Sequence, residues 1–377
     1  MKNRRKKVLV WGVGLVIAVL ASLAAFIKYD TEAAAEFTDN YLRPILGPTI
    51  VVAMEKFYFN LSDSVERGMY NPKGDVGVSY VDVGDTTGID IAKTKLDLNP
   101  IPMLVQLQSE PNEGKWRVRK IAAYPGEAVA AFTYVRPDVA RPFAYVTLFQ
   151  VDMQKMRLGS VAGKSQPGGP VGMPGPGVVP SPIISSGALV AAFDGGFQYR
   201  DGQYGMIVGS TTYLPLKNDL ATLVGYKDGR LALIDYQGQD LGPGVAFVRQ
   251  NCPMLVYNGQ IASNDPANKK LWGRTLTSGI YTWRSGLGIN KEGNLIFAVG
   301  NNLTPETLAA ALKAGGAVNA MQLDINPNWV RFNIFDTLGN GQYKSSTLIK
   351  EIRDGSQAYL HGYSKDFFYL YKPEPGL

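Results

Sequence analysis

A chain of 377 residues, 45% hydrophobic and 19% charged, carries enough apolar material for one large or two ordinary domains. Its net charge of +6 is concentrated at the start: Lys2, Arg4, Arg5, Lys6 and Lys7 are five of its 38 basic residues, and the other 33 nearly balance 32 acidic ones. That distribution argues against a nucleic-acid partner, which needs excess positive charge clustered on the folded part; one cysteine (Cys252) and one histidine (His361) exclude an intrachain disulfide and a histidine-rich zinc site.

Val8 to Ile27 is an uncharged apolar run of the length that crosses a bilayer as a helix, roughly 20 residues. The basic cluster before it stays in the cytoplasm under the positive-inside rule, so the chain after Lys28 is expected outside the membrane. Residues 1–30 therefore read as a cytoplasmic basic segment and a single-pass signal anchor. The competing reading is a signal peptide cut near Ser22-Leu23-Ala24; the length of the run favours the anchor. Residues 31–75 read as a helical stalk or packing segment. Ala33, Ala34 and Ala35 favour helix, Pro44 and Pro48 interrupt it, and Ile50 to Phe59 predicts a second helix.

From residue 76 to 158 the pattern changes to short alternating strands, as in Trp116 to Ile121 and Phe143 to Phe149. This β-rich part is either an accessory layer or the first strands of the main domain. Gly159 to Gly187 holds eight glycines and six prolines, a composition that predicts a long surface loop or flap. Residues 188–377 read as the main domain. Lys227-Asp228-Gly229-Arg230 and Lys291-Glu292-Gly293-Asn294 are turns between strands. One well-marked helix follows, with Thr304 as N-cap, Pro305 in its first turn, Glu306 at the positive dipole end and Gly315-Gly316 as its stop. A last strand region, Ala358 to Tyr371, closes the sheet. The expected class is α+β (mixed α/β): a large mixed sheet with few helices, preceded by the transmembrane helix.

Two apolar runs end abruptly in polar groups. Ala188 to Phe193 runs into Asp194-Gly195-Gly196-Phe197, and Ala317 to Leu323 runs into Asp324-Ile325-Asn326-Pro327-Asn328-Trp329. Strands that end this way deliver side chains to a site, and both ends are expected to face one pocket.

In order, these motifs resemble the phosphodiester glycosidase family: Asp194 to Phe197; Arg249-Gln250-Asn251; Leu255-Val256-Tyr257-Asn258-Gly259; Arg284 with Gly286-Leu287-Gly288-Ile289; the Lys291 turn; the Thr304-capped helix; and Met321-Gln322-Leu323-Asp324. The resemblance covers roughly Gly187 to Trp329. It implies a hydrolase that removes a sugar from a glycosyl phosphodiester, and for bacterial members a link to exopolysaccharide at the cell surface. The chain departs from the family at two points. Asp194 stands where the family typically carries Asn before Gly-Gly-Phe, and Ile325 to Trp329 stands where it carries a glycine-rich run.

Cleaving such a bond needs a cation for the phosphate, a carboxylate at the anomeric carbon or its attacking water, and polar groups for the sugar. Asp324 and Asp194 are the candidate acid/base pair, and Arg284 is the candidate phosphate ligand. Gly195, Gly196, Asn251, Asn258, Asn326 and Trp329 are the candidate substrate-binding residues, the asparagines through hydroxyl contacts and Trp329 by stacking. Each has a structural alternative: a strand cap for Asp324, a turn residue for Asp194, an ion pair for Arg284 and core packing for Trp329. No metal motif is present; Asp194, Asp324 and Asn326 would suit calcium or magnesium if they converged. The expected partners are a carbohydrate or glycosyl-phosphate substrate and the membrane. The alternative function is a non-catalytic glycan-binding or assembly protein on the same scaffold.

Overall fold

The computed structural model describes residues 37, 41, 43–70, 88–169, 171–262 and 281–374. The predicted anchor, Val8 to Ile27, lies outside the described residues; among those described, no helix is long and apolar enough to cross a membrane. The chain divides into Met1–Tyr58 and a body, Phe59–Leu377. The described part of the first unit holds the short helix α1 (Arg43–Leu46) and the start of α2 (Pro48–Met69). Within the body, the end of α2 is fastened by Asp63, whose two carboxylate oxygens accept from Arg141 at 2.6 and 2.9 Å.

The body is built of antiparallel strands. Its first part supplies β1 (Arg117–Val118), β2 (Ala130–Val135), β3 (Val146–Val151) and β4 (Arg157–Val161). The short helix α3 (Ser181–Ser186) leads into β5 (Leu189–Asp194), and one turn of helix, α4 (Tyr199–Gly202), follows it. Next come β6 (Met206–Val208), β7 (Thr211–Leu214), β8 (Leu220–Tyr226), β9 (Leu231–Tyr236) and β10 (Val245–Gln250). The short hairpin of β11 (Val256–Tyr257) and β12 (Gln260–Ile261) precedes the long strands β13 (Thr282–Asn290) and β14 (Leu295–Leu303). Helix α5 (Pro305–Ala314) then feeds β15 (Ala317–Ile325). The chain ends in β16 (Phe332–Gly339), β17 (Gln342–Thr347), α6 (Ser356–His361) and β18 (Phe367–Tyr371).

The α+β class with few helices holds. The single large mixed sheet does not: among the described residues the strands form three sheets, and every strand ladder is antiparallel. The first sheet has the order β1-β2-β3-β14-β13-β15-β11-β12, the second β7-β6-β10-β8-β9 and the third β17-β16-β5-β18-β4. The β-rich early part is thus no separate layer, since β3 pairs with β14 in the first sheet. Alternation in a sequence reports that a residue faces a core, not which sheet its strand joins.

The main core lies where the sheets face one another. Phe332 of β16 sits 5.0 Å from Phe149 of β3, 4.7 Å from Phe297 of β14 and 5.3 Å, stacked, from Phe193 of β5. All four rings are buried, and burying each contributes roughly 1.5–3 kcal/mol. Both faces of β5 are covered, which explains its unbroken apolar run. Helix α5 covers the other face of the first sheet through Leu308, Ala309, Ala311 and Leu312. Its start is a reciprocal capping box: Thr304 Oγ1 accepts from Thr307 N at 3.3 Å, and Thr307 Oγ1 accepts from Thr304 N at 2.9 Å.

The glycine- and proline-rich stretch is more ordered than its composition suggests. It starts inside β4 and ends in α3, and backbone hydrogen bonds bind its middle to the segment before β18. Lys164 N donates to Tyr363 O at 2.9 Å, Ser165 N to Ser364 O at 3.0 Å, and Tyr363 N to Gly177 O at 2.7 Å. Gly163 is required by proximity: a Cβ there would lie 2.3 Å from the carbonyl carbon of Lys365.

Candidate functional site

Strands β5 and β15 belong to different sheets, yet their ends meet on one side chain, Ser285 of β13. The register of β13 on β15 pairs Gly286 with Gln322, then slips, so that Arg284 faces Ile325. Ser285 occupies the slip. Its hydroxyl donates to Asp194 Oδ2 at 2.5 Å and accepts the backbone N–H of Asp324 at 3.0 Å. The second oxygen of Asp194 accepts from Arg331 N at 3.0 Å, which ties the end of β5 to the start of β16.

Lys365, two residues before β18, completes the cluster. Its ammonium donates to Asp324 Oδ2, while Asp324 Oδ1 accepts the N–H of Ile325 at 3.0 Å. The same ammonium lies 4.7 Å from the centre of the Trp329 ring, in cation–π range. Asp194, Asp324 and Lys365 are each only 2% exposed. Burial pushes both carboxylates up. Asp194 rises to about 8, from loss of water and from the Asp324 charge, against the pull of Ser285, Arg331 N–H and Lys365. Asp324 rises to about 6, because Lys365 offsets much of the cost of its burial. Both carboxyls are thus held above the ordinary carboxylate range, Asp194 further than Asp324, whose Oδ2 Lys365 contacts.

A second buried ion pair supports the first. Arg249 at the end of β10 donates Nε to Asp366 Oδ2 at 2.8 Å and Nη2 to Asp366 Oδ1 at 3.1 Å. Asp366 Oδ2 also accepts Gly196 N at 2.9 Å. Arg249 reaches the carbonyls of Phe197, Tyr204 and Gln250 as well. Gly195 and Gly196 give room to this pair. A Cβ on Gly195 would stand 2.1 Å from Asp366 Oδ2, and one on Gly196 2.4 Å from Arg249 Nη2.

The remaining predicted residues fall in different places. Asn251 is buried beside the pair, donating Nδ2 to Gln322 O at 2.7 Å and Leu323 O at 2.5 Å and accepting from Phe197 N at 3.3 Å; it locks the turn after β5 to β15. Asn326 adopts φ 67° and accepts from Asn328 N at 2.9 Å, which shapes the turn that carries Trp329. Trp329 is 9% exposed and packs as a wall of the cluster. Asn258 is not brought to the carboxylates: it forms the β11–β12 turn, and its backbone N–H donates to Asn319 Oδ1 at 2.9 Å, near the opposite end of β15. Arg284 is fully buried and donates Nε to Leu303 O at 2.7 Å and Nη1 to Gln322 Oε1 at 3.2 Å. Loss of water pulls its pKa down to about 10. The cation on Asp324 is Lys365, not Arg284.

Ser285, Lys365, Asp366 and Arg331 carry the site without having been singled out in the sequence. The available signal was Lys365-Asp366, two charges immediately before the apolar Phe367-Phe368-Tyr369-Leu370-Tyr371. Among the described residues no three His, Cys, Asp or Glu groups converge as metal ligands, and Lys365 already occupies one oxygen of Asp324.

A sequence model of the phosphodiester glycosidase family matches residues 187–324. Comparison with curated proteins finds no match. Among solved structures, the chain is similar to the zebrafish N-acetylglucosamine-1-phosphodiester alpha-N-acetylglucosaminidase catalytic domain auto-inhibited by its pro-peptide, at 14% identity and TM-score 0.39, covering 69% of this chain and 88% of that one. It is also similar to a hypothetical protein from Synechocystis, at 11% identity and TM-score 0.34, covering 66% of this chain and 63% of that one. A putative exported protein from Burkholderia pseudomallei follows at 10% identity and TM-score 0.27, covering 61% and 74%. The stretch that carries Asp194, Arg249, Ser285 and Asp324 is thus phosphodiester glycosidase-like.

Proposed function

We propose that this chain is a hydrolase of a glycosyl phosphodiester, held at the membrane by Val8 to Ile27 and acting outside the cytoplasm on cell-surface polysaccharide. The observation that carries the reading is the meeting of two buried acids at Ser285, which donates to the Asp194 carboxyl and accepts the Asp324 backbone N–H, with Lys365 on the Asp324 carboxylate. That unequal setting raises Asp194 further than Asp324, the kind of difference that separates acid from base roles within one site. In the proposed reaction ionised Asp324 takes a proton from water as the oxygen adds to the anomeric carbon. The bond from that carbon to the phosphate oxygen breaks, and the phosphate monoester leaves with the electron pair. A phosphate is weakly basic, so Asp194 supplies at most a proton to it.

The test is incubation of the full chain with sugar-1-phosphodiesters. Free sugar is expected from the wild type, with losses of roughly 100-fold or more in Asp324→Asn, the range of general acid–base contributions. A second reading, a non-catalytic glycan-binding or assembly protein, is favoured by the near-complete burial of Asp194, Asp324 and Lys365. Binding of those substrates without cleavage would select it.

A further inference from the structure

We propose that Lys365 is the positioning residue of the carboxyl pair: seated between Asp324 and the Trp329 ring, it keeps the negative charge on Asp324 and leaves the proton to Asp194. The role assignment rests on the hydrolase reading; the ion pair and its effect on the two carboxyls do not. Lys365 also lies beyond residues 187–324, so the family match does not supply it.

Three observations carry the inference. Lys365 is held in place by backbone on both sides. The preceding residues, Tyr363 and Ser364, are bonded to Lys164, Ser165 and Gly177, and the next residue, Asp366, is clamped by Arg249 and Gly196 N. Its ammonium has one carboxylate in contact, Asp324 Oδ2, and an aromatic face 4.7 Å away. The Asp194 carboxyl accepts instead from the Ser285 hydroxyl and the Arg331 backbone N–H, both neutral donors. The two acids that meet at Ser285 thus differ by the ammonium in contact with the Asp324 carboxylate, and a nearby cation favours the ionised form.

The other groups facing the pair do not reverse this asymmetry. Asp366 raises Asp324 by repulsion, but its own charge is matched by Arg249. Tyr359 on α6 is buried and held neutral, its pKa raised well above the usual value. The Arg331 guanidinium lies over the Tyr363 ring at 4.9 Å. Removing the Lys365 charge then takes away the direct counter-ion of Asp324, and Asp324 competes with Asp194 for the proton.

The experiment compares the full chain with Lys365→Met, Lys365→Arg and Asp324→Asn by thermal unfolding from pH 5 to pH 9. In Lys365→Met the loss in Tm relative to wild type is expected to be small at pH 5, where a protonated Asp324 needs no counter-ion, and to widen steadily above pH 6. Lys365→Arg is expected to restore most of it. Asp324→Asn, which strands the buried Lys365 ammonium and so lowers Tm overall, is expected to flatten the wild-type slope around pH 6. A Lys365→Met loss of the same size at every pH, or an Asp324→Asn slope equal to wild type, overturns the proposal. Where hydrolysis is observed, the acidic limb of kcat/KM in Lys365→Met is expected to move up by about one pH unit, a tenfold loss at fixed pH on that limb. Absence of hydrolysis in the wild type defeats the hydrolase reading alone, since the unfolding series tests Lys365 without it.

Discussion

Arg249 and Asp366 form a two-point ion pair with both side chains shut off from water, at 2.8 and 3.1 Å. The pair joins the second sheet to the third at the root of the carboxyl cluster. Breaking a buried pair from one side strands the other charge. Asp366→Asn is therefore expected to cost about 3–5 kcal/mol, read as a lower urea midpoint with the slope unchanged. A cost near that of a surface pair, under about 1 kcal/mol, would mean that Arg249 finds water when Asp366 is gone.

Such a partnership shows where sequence reading stops. Local signals were legible: the cap and stop of α5, the Lys227 and Lys291 turns, and the acids at the ends of β5 and β15. Each depends on neighbours within a few residues. Arg249 finds its partner 117 positions away, and nothing in Arg249-Gln250-Asn251 names Asp366. Lys365 was hidden for the same reason. Its position depends on a glycine-rich stretch whose composition suggests a loose loop, but whose backbone groups pair with Tyr363 and Ser364. The division into three sheets was likewise not legible, because buried strands of separate sheets share one apolar pattern.

Ser285 does two things at once, so its loss is expected to depend on pH. Ser285→Ala removes the donor to Asp194 Oδ2 and leaves the buried N–H of Asp324 without its side-chain acceptor. The latter costs about 1–3 kcal/mol at any pH. The former adds to it only where Asp194 is ionised, so the cost at pH 9 should exceed that at pH 6 in parallel denaturation curves. Equal costs at both would show that the hydroxyl does not serve the carboxylate.

Asn326 has a φ of 67°, a conformation that glycine adopts freely and asparagine tolerates better than most residues. Asn326→Gly should change stability by only a few tenths of a kcal/mol, since the gain in backbone ease offsets the lost contact to Asn328 N. Asn326→Val loses the contact and adds β-branched strain, and should cost about 1–2 kcal/mol or more. Similar melting curves for the two variants would exclude this account.

The two buried carboxyls give the stability of the fold a definite sign of pH dependence. Asp194 rises from 3.8 to about 8 on folding and Asp324 from 3.8 to about 6. A folded-state value above the unfolded one means that the native protein binds more protons in the window between them. Unfolding free energy then falls as pH rises. The contribution of these two groups is fully present below about pH 4, is partly lost as Asp324 ionises near 6, and is gone above about 8. Exposed pairs work the opposite way: Asp228, lowered by Arg230, adds stability that is lost only on acidification below its usual range. Between pH 6 and pH 8 Asp194 therefore dominates, and wild-type stability should decline across that interval. Asp194→Asn keeps the shape of the side chain without the ionisation, and its curve should be flatter there and cross above wild type on the alkaline side. A wild-type decline that persists unchanged in Asp194→Asn would place the titrating group elsewhere and remove the physical basis for assigning Asp194 the acid role.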